Sequence, residues 1–448
     1  MKPFSLKLLK SSNRRVRSRF LFPLACCLLS VAFDIPPHSP LPAIAQTTDA
    51  RKTEADRLYE QGKQQYQTSQ LRAALNSWEQ ALQIYRALKN RRGEGNALGG
   101  LGLAYRSLGN HAKAIDYGQQ QLAIAREIKH RQSEGNALGH LGIAYHSLGN
   151  YAKAIEYGQQ SLAIALEIKD RRGEGAALGN LGGAYAYLGN YATAIDYGQK
   201  QLALAREIKD RRGEGNALGS LGVVYRSLGN YAKAIEYSQQ TLAITRELKH
   251  RLGEGWALNN LGFAFLKAGN PTEAEKMLIN GIQVWESMRQ LLGSNDADQV
   301  SFFEGQAATY RTLQQVRVAQ NNPNAALEIA ERGRARAFVN LLTQRLSSDS
   351  ANPAIATAPN QDEIRQIAKA QNATLVQYSI IYDGFQIQGR QVARESALYI
   401  WVIQPTGEIT FRQVDLKPLW QQHNRSLANL IIGNQEFLAV RSRSNLGS

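Results

Sequence analysis

The chain has 448 residues, with 53 Lys and Arg against 37 Asp and Glu, which gives a formal net charge of +16 at pH 7. This length suits about two or three domains, and part of the basic excess lies in residues 1–45, which hold seven basic residues and one acidic residue. Both cysteines, Cys26 and Cys27, also lie there. The rest of the chain can therefore form no disulfide and offers no cysteine nucleophile.

Residues 1–45 have the three parts of a secretory signal peptide. A basic region is followed by the apolar stretch Leu21–Phe33 and by small residues at Ala43-Ile44-Ala45. We predict export to the periplasm or the extracellular space after cleavage near Ala45. Because the spacer Asp34–Pro42 is long, a membrane anchor formed by an uncleaved leader is the alternative.

Between Gln46 and Asn270 there is no proline, although the chain has twelve. This is typical of consecutive helices, because an internal proline removes a hydrogen bond and kinks the helix. The same segment also repeats with a period of 40 residues. The recurring positions are Leu101, Leu141, Leu181 and Leu221, then Gly102, Gly142, Gly182 and Gly222, and Tyr105, Tyr145, Tyr185 and Tyr225. A fixed period of this kind predicts a solenoid whose units stack on their neighbours.

Each unit is predicted to contain two helices. The apolar positions of one such pair are Leu138, Leu141, Ala144, Tyr145 and Leu148, followed by Tyr151, Ile155, Gly158, Leu162, Ala165 and Ile168. Gly149 and Asn150 should form the turn between the helices, since both residue types tolerate positive φ. Asp170 should cap the next helix, with Glu174 in its first turn.

The pattern Leu-x-x-Leu-Gly-x-Ala-Tyr-x-x-Leu-Gly-Asn-Tyr-x-x-Ala-Ile, present at Leu138–Ile155 and Leu178–Ile195, resembles the tetratricopeptide (TPR) repeat. The resemblance implies a mostly α fold, a TPR α-solenoid of about six to seven helical hairpins over residues 46–346. The units are placed at about 55–94, 95–134, 135–174, 175–214, 215–254, 255–294 and 299–342. Gly118, Gly158 and Gly198 stand where the family usually has a large residue, which implies a different local packing or a looser superhelix.

The composition changes after the repeats. A helix over 325–342, capped by Asn324, should end the array, and residues 347–360 read as a linker. Residues 361–448 should form a small, incomplete α/β segment. Its predicted elements are a helix at 361–370, strands at 373–382, 397–404 and 408–414 with a hairpin turn at 405–407, and a helix at 416–431.

This segment resembles the start of a CHAT domain, a caspase-like module that follows TPR arrays in cyanobacterial and other bacterial proteins. The resemblance is carried by Ala330–Arg336, Ala373–Ser379, Leu398–Val402 and Gly407–Phe411. Family members hydrolyse peptides with a His/Cys pair placed further downstream. Since this chain offers only His423 and no cysteine in the segment, we expect a chain truncated within the domain, with no catalytic residue and no cofactor.

A basic strip recurs once per unit. Its arginines are Arg91, Arg92, Arg131, Arg171, Arg172, Arg211, Arg212 and Arg251, and the glutamates beside them are Glu94, Glu134, Glu174, Glu214 and Glu254. We expect partial ion pairing on a solvated edge. Because no aromatic residues are interleaved with the strip, we expect no nucleic acid as a partner, while an acidic partner surface stays open.

The predicted binding surface is the inner, concave face formed by the first helix of each unit. By repeat register this face should present Asn96, Asn136, Asn216, His140, Asn180, Asn260, Arg106, His146 and Arg226. Asparagine suits recognition of a peptide backbone because its amide both donates and accepts hydrogen bonds. His140 and His146 are six residues apart and point to different sides of a helix, so we expect no metal site.

Three functional hypotheses follow. The first is a monomeric, non-catalytic scaffold that binds a protein or peptide on the concave face. The second is the recognition part of a caspase-like cysteine peptidase whose catalytic portion is missing or encoded separately. The third, which the charge pattern favours least, is a polyanion-binding protein.

Overall fold

A computed structural model describes residues 48–68, 70–289, 296–333, 359–387, 390–421 and 426–427. Several predicted features lie outside these residues. They are the leader 1–45, the last part of the helix at 325–342, the linker up to residue 358, and most of the helix at 416–431 with His423.

The described chain begins with an array of helical hairpins. The first helices of the hairpins, the A helices, are α1 (Thr48–Gln67), α3 (Arg91–Ser107), α5 (Arg131–Ser147), α7 (Arg171–Tyr187), α9 (Arg211–Ser227), α11 (Arg251–Lys267) and α13 (Asp296–Ala319). The second helices, the B helices, are α2 (Leu71–Ala87), α4 (His111–Glu127), α6 (Tyr151–Glu167), α8 (Tyr191–Glu207), α10 (Tyr231–Glu247), α12 (Pro271–Arg289) and α14 (323–333). The predicted mostly α solenoid is confirmed.

Consecutive helices pack on each other, and successive A helices from α1 to α13 also contact one another. The A helices therefore form a common face. Their leucines supply the core: Leu98, Leu138, Leu178, Leu218 and Leu258 are buried, as are Leu101, Leu141, Leu181, Leu221 and Leu261. The prediction that Leu148 belongs to this core is wrong. Leu148 follows the last residue of α5 and is 55% exposed.

The turns on both sides of a B helix have the same backbone geometry. After α5, Gly149 has φ +79 and donates to the carbonyl of His146, while Asn150 donates to that of Tyr145. After α6, Lys169 has φ +57, and the N–H groups of Lys169 and of the next residue donate the corresponding hydrogen bonds to carbonyls at the end of α6. Both are Schellman motifs, in which the residue after the C-cap adopts a left-handed conformation.

Asn150 differs from its predicted role. Its φ is −90, and its side chain caps α6 by accepting from the backbone N–H of Lys153. The turn therefore needs only one residue with positive φ, and the next residue starts the following helix. Asp170 behaves as predicted, since it caps α7 by accepting from the N–H of Gly173, and Glu174 lies in the first turn.

The unusual B-helix glycines allow close contact between neighbouring units. A Cβ atom placed on Gly118 would lie 2.9 Å from Cδ2 of Leu141 on the next A helix, which is closer than real Cβ atoms come. Gly158 and Leu181, and Gly198 and Leu221, repeat this contact at 3.0 and 2.9 Å. The packing between neighbouring units is therefore tight at these glycines.

Ion pairs join the units along one edge. Arg131 pairs with Glu134 at 2.5 Å within its own helix and with Glu167 of the next B helix, and Arg126 pairs with Glu134 at 3.0 Å. The same pairs recur around Arg91, Arg171 and Arg211. Because these glutamates neutralise the arginines, the predicted partial ion pairing of the basic strip is confirmed for them.

The C-terminal segment packs directly on the end of the array. Helix α15 (Gln361–Ala370) precedes the strands β1 (Leu375–Ile387), β2 (Arg390–Ile403) and β3 (Ile409–Asp415), and the short helix α16 (Lys417–Gln421) follows. The strands form an antiparallel sheet in the order β1-β2-β3. Trp401 is fully buried against α14 and α15, and its Nε1 donates to the carbonyl of Pro323 at 2.7 Å.

Two local predictions for this region need correction. Helix α14 begins at Pro323, and its cap is Asn322, whose side chain accepts from the N–H of Ala325. The predicted cap Asn324 is already inside the helix. Strand β1 extends to residue 387 and strand β2 begins at residue 390, so the two strands form a longer hairpin than predicted. The outer part of this hairpin is polar, and its sequence did not indicate strands. The turn at 405–407 is confirmed, with Gly407 at φ +87.

The five lysines in left-handed turns give the first prediction. An L-residue in this conformation costs roughly 1–2 kcal/mol relative to its right-handed form, whereas glycine adopts it freely at some entropic cost. We expect Lys169→Gly to raise the free energy of unfolding by about 0.5–1 kcal/mol, measured by urea denaturation. The matched control is Gly149→Lys, which should lower it by about 1 kcal/mol because an L-residue is strained at φ +79. No steric clash adds to this cost, since a Cβ there meets no atom within 4 Å. A loss of stability in Lys169→Gly would contradict this account.

The ion pairs around Glu134 give the second prediction. Burial opposes ionisation of Glu134, but hydrogen bonds from Arg126 and Arg131 outweigh it and hold its pKa below the ordinary value of 4.5. A carboxyl with a lowered folded pKa stabilises the fold above its unfolded pKa and loses that contribution as the pH falls further. We therefore expect stability to decline below about pH 4.5, and Glu134→Gln to make this decline smaller.

A control for that prediction lies one unit away. Leu166 occupies the position of Arg126, so Glu174 pairs with Arg171 without a second arginine from that position. At pH 7 we expect Glu134→Gln to cost about 1–2 kcal/mol and Glu174→Gln to cost less. Equal losses in urea denaturation would show that the second arginine contributes nothing.

Candidate functional site

The structure places the nine predicted binding residues on the A helices, and six of them line two separate depressions. Asn96, Asn136 and His140 line a shallow space of about 240 Å³ near the start of the array. Asn216, Arg226 and Asn260 line a larger one of about 710 Å³. We call the larger depression, which is lined by α7, α9 and α11 and by the intervening B helices α8 and α10, the groove. Arg106, His146 and Asn180 line neither space.

At the N-terminal depression, His140 is held against Gln121 and Arg106. Its Nδ1 lies 3.2 Å from Gln121 Oε1, and Arg106 lines the same narrow crevice. Burial and the positive charge of Arg106 together lower the pKa of His140 to about 4. His140 is therefore neutral at pH 7, which makes this end of the face less suited to an anionic ligand.

His146 belongs to an aromatic cluster. Its ring lies 4.8 Å from that of Tyr187 and 5.3 Å from that of Tyr151, measured between centroids, with edge-to-face geometry. Burial lowers the pKa of His146, although the nearby backbone of Gly183 opposes this shift. The residue therefore supports the position of Tyr187, which lines the groove, and does not itself contact the groove.

The groove exists because α7 carries small residues where other A helices carry large ones. Gly183 corresponds in register to Ile143 and Phe263, and Ala186 to His146. A Cβ on Gly183 would meet only His146 Nε2, at 3.9 Å. The opposite wall is large and apolar, and four of the side chains around the groove are exposed to between 42% and 47%: Tyr187, Leu248, Leu252 and Trp256.

Arg226 is the less exposed of the two arginines, Arg212 and Arg226, that line the groove. Its Nη1 donates to Asn260 Oδ1 at 3.0 Å, and its guanidinium lies 5.1 Å from the centroid of the Phe263 ring. Within the described part of the chain it forms no ion pair with a carboxylate. Burial lowers the pKa of Arg226 below that of a free guanidinium, so this partly desolvated positive charge has no counter-ion among the described residues.

Two side-chain oxygens at the groove also lack partners among the described residues. Oε1 of Gln201 and Oδ1 of Asn259 are buried, and neither accepts a hydrogen bond. A buried acceptor left unpaired costs about 1–3 kcal/mol. Donors such as peptide N–H groups could satisfy them.

Sequence reasoning missed Tyr187, Trp256 and Phe263. It aligned the repeats to find what they share, whereas these three residues interrupt the repeat. At their register positions other units have Ser147, Asn216 and Val223. The available signal was the departure from the repeat, and it can be read from the sequence once the A-helix face is known.

The β1–β2 hairpin reaches the A-helix face near the groove. Lys267, at the end of α11, lies 3.4 Å from Asp383 of β1, and the guanidinium of Arg311 lies 5.5 Å from the centroid of the Tyr382 ring. Strand β2 also approaches α7. The C-terminal sheet is thus in contact with the helices that carry the groove.

The repeat can now be assigned to a family. The sequence profile described as "Tetratricopeptide repeat" matches residues 54–127, 93–167, 133–207, 173–247 and 213–287, which together cover more than half of the chain. The chain belongs to the tetratricopeptide repeat family. The predicted resemblance to TPR proteins is confirmed.

Tetratricopeptide repeat protein 28 of Mus musculus is 30% identical over 179 residues, which are 39% of this chain and 6% of the mouse protein. The chain thus spans a small fraction of that relative. Aspartyl phosphate phosphatase F from Bacillus subtilis is similar in structure, with a TM-score of 0.48, 17% identity and coverage of 68% of this chain and 74% of that one. NprR in complex with its cognate peptide NprX has a TM-score of 0.46 and 15% identity, covering 66% and 83%. The structural similarities concern the fold alone.

The described residues contain neither a membrane-spanning helix nor a cluster of metal ligands. Their helices include none with the length and apolar character needed to cross a membrane. The same residues contain no group of three or more His, Cys, Asp or Glu arranged to hold a metal ion.

The environment of His140 gives a third prediction. A histidine whose folded pKa is about 4 takes up a proton more readily in the unfolded chain, where its pKa is near 6.5. The free energy of unfolding should therefore fall as the pH drops from 7 towards 4. We expect His140→Asn, which installs the residue present at positions 180 and 260, to make this fall smaller in denaturation curves. An unchanged pH dependence would show that His140 is not held neutral.

Proposed function

We propose that this TPR protein is a non-catalytic scaffold that binds an extended peptide or a segment of a partner protein in the groove. The observation that carries the proposal is the groove itself, about 710 Å³ of open space on the A-helix face. Depressions of about 300–1,000 Å³ with mainly apolar walls and a few polar groups are typical of ligand sites.

The chemistry of the groove supports a peptide as the ligand. Asn216 and Asn260 offer amides that can pair with both the N–H and the C=O of a backbone. The unpaired acceptors on Gln201 and Asn259 need donors, and backbone N–H groups are donors of the right kind. Tyr187 and Trp256 offer apolar area for side chains of the partner.

A second candidate function is that the chain is the recognition part of a caspase-like peptidase of the CHAT type. The favouring observation is the contact between the sheet and the A-helix face at Lys267 and Asp383, through which a ligand in the groove could act on an attached domain. This hypothesis predicts a reading frame that continues beyond codon 448 and encodes a His and a Cys of a caspase-like domain. Unrelated sequence there would contradict it.

The polyanion hypothesis has less support, because Arg91, Arg131, Arg171, Arg211 and Arg251 are engaged by glutamates. Binding of a polyanion should fall steeply with salt, whereas binding in a partly desolvated groove should not.

We also retain export as a proposal. N-terminal sequencing of the mature protein from its source should begin near Gln46, and an intact leader would contradict cleavage.

The fourth prediction tests the location of binding. A photo-crosslinking amino acid at Ser220, which is exposed and lines the groove, should form covalent adducts with a specific partner in the source cells. The matched control places the same amino acid at Lys200, an exposed residue on a B helix. Adducts should come from position 220 and not from position 200, as read by mass spectrometry of the crosslinked bands. Equal labelling at both positions would overturn the proposal.

A further inference from the structure

The two halves of the β1–β2 hairpin are held in different ways. The inner half carries Trp401 and Ile381, which are buried against α14 and α15. Strand β3 pairs with this half, over Ala397–Ile403 of β2. The outer half consists of Tyr382–Ile387 on β1 and Arg390–Glu395 on β2, and no third strand pairs with it in the described chain. We call this outer half the strap.

A β-bulge marks the boundary between the two halves. Ile381 pairs with Ala397 and Tyr382 pairs with Glu395, so that Ser396 has no partner on β1. Such an extra residue bends the strand that carries it. Strand β3 ends beside the same point, since its last residue pairs with Ala397. The strap therefore begins where the sheet narrows to two strands and bends.

The strap contacts the A-helix face on both sides of α9. Lys267 Nζ, on α11, lies 3.4 Å from each carboxylate oxygen of Asp383. The guanidinium of Arg311, on α13, lies 5.5 Å from the centroid of the Tyr382 ring. Strand β2 also approaches α7. Because the inner half of β2 packs on α14 and α15, this approach belongs to the strap, which thus extends from α13 past α11 to α7.

The repeat provides an internal comparison for α9, which lies between these helices. The position of Lys267 on α11 is occupied by Ser227 on α9, by Ser147 on α5 and by Ser107 on α3. Ser107 and Ser147 are exposed, whereas Ser227 is half-buried. Of these three equivalent serines, the least accessible is the one between two contacts of the strap.

The contacts of the strap are polar and incompletely paired. Oδ1 of Asp383 and Nε of Arg394 are buried, and neither makes a hydrogen bond within the described chain. Buried polar atoms without hydrogen bonds oppose the closed arrangement. A segment held by a few polar contacts also opens more readily than one held by a packed core, such as the core around Trp401. The strap is therefore the part of the hairpin that can separate from the array.

Helix α16 packs on the strap and belongs to the same body. The ring of Trp420 lies 4.8 Å from that of Phe385 between centroids, and its Nε1 donates to the carbonyl of Glu395 at 2.8 Å. The chain enters α16 at Leu416, whose N–H donates to the carbonyl of Ser396. Both connections of this body to the three-stranded sheet thus lie at the bulge. Motion about a few residues at the end of an element is typical of a hinge.

We propose that the strap is a hinged cover on the A-helix face. It lies over the end of α9 while Asp383 is paired with Lys267, and it swings away at the bulge when this pair separates. The end of the groove that it controls is the one lined by Tyr187 and Arg226. The inference goes beyond the proposed function, because it concerns access to the groove and not the ligand. A fixed base, a bend and a weakly held outer part are what a reversible cover needs.

The experiment measures the reactivity of single thiols in the full chain. The native Cys26 and Cys27 are changed to serine, so that an introduced cysteine is the only thiol. Ser227→Cys places it under the strap, and Ser147→Cys is the matched control in the same register on α5. Each protein reacts with a small maleimide and with a maleimide that carries a long polyethylene glycol chain. We expect the ratio of the bulky to the small rate to be lower at position 227 than at position 147.

Charge reversal tests what holds the strap closed. Asp383→Lys sets two like charges beside each other, so the rate ratio at position 227 should rise about threefold or more. Lys267→Glu should act in the same way, and Asp383→Asn, which removes the attraction without adding repulsion, should give a smaller rise. The double variant with Lys267→Glu and Asp383→Lys restores an ion pair and should lower the ratio again. Position 147 should not respond, and thermal denaturation verifies that each variant is folded.

The results separate this inference from the proposed function. Equal ratios at positions 227 and 147 in the chain with unchanged Lys267 and Asp383 would overturn the cover. So would a ratio at position 227 that no folded variant changes, or one that rises in the single variants and stays high in the double variant. A rise at both positions would show a general loosening of the array and would also contradict the inference. No peptide takes part, so either proposal can fail while the other stands.

Discussion

The contact between a leucine of one unit and a glycine of the unit before it is the constraint on which this structure depends. A Cβ placed on Gly118 would lie 2.9 Å from Cδ2 of Leu141, and the same close pair recurs at Leu181 with Gly158 and Leu221 with Gly198, while α10 carries the small residue Ser238 at this position. Each contact brings an A helix against the preceding B helix. The A helices therefore lie side by side and share one face, and every functional argument about this protein concerns that face.

The repeated core is enough to stack the units, so the exposed residues on the A-helix face can differ from unit to unit without disturbing the stacking. At the N-terminal end they form a shallow space with a neutral histidine. Between α7 and α11 they form a groove with a charged centre and apolar walls. The ion pairs on the edge, such as Arg131 with Glu134 and Glu167, keep the many other arginines occupied. These paired arginines therefore add little positive charge to that edge.

The C-terminal sheet is held to the array by Trp401, which is buried among residues of α14, α15 and the strands. From this base the β1–β2 hairpin extends to Asp383, where it meets Lys267 of α11. The sheet and the groove thus share a helix.

Much of the fold could be predicted from the sequence, because it is encoded in local patterns that recur. The 40-residue period, the two helices of each unit, the caps at Asp170 and its equivalents, and the pairing of arginine with glutamate all depend on residues close together in the chain. The hairpin turn at 405–407 is local as well. Local prediction failed where adjacent residues could fill the same role. Asn150 caps a helix and does not adopt the positive φ of the turn. The cap of α14 is Asn322 and not Asn324.

Only the tertiary structure decided which residues share a site. The sequence by itself placed nine residues on one face, since they have the same register, but register cannot say that Gly183 and Ala186 open a space beside Arg226 and that His140 and Arg106 nearly close one. Depth depends on the side chains of neighbouring helices, which lie about 40 residues apart along the chain. The absence of a counter-ion for Arg226 within the described residues is likewise a property of the folded surroundings. The repeat thus determined the scaffold, and the departures from the repeat became interpretable only when the fold brought them together.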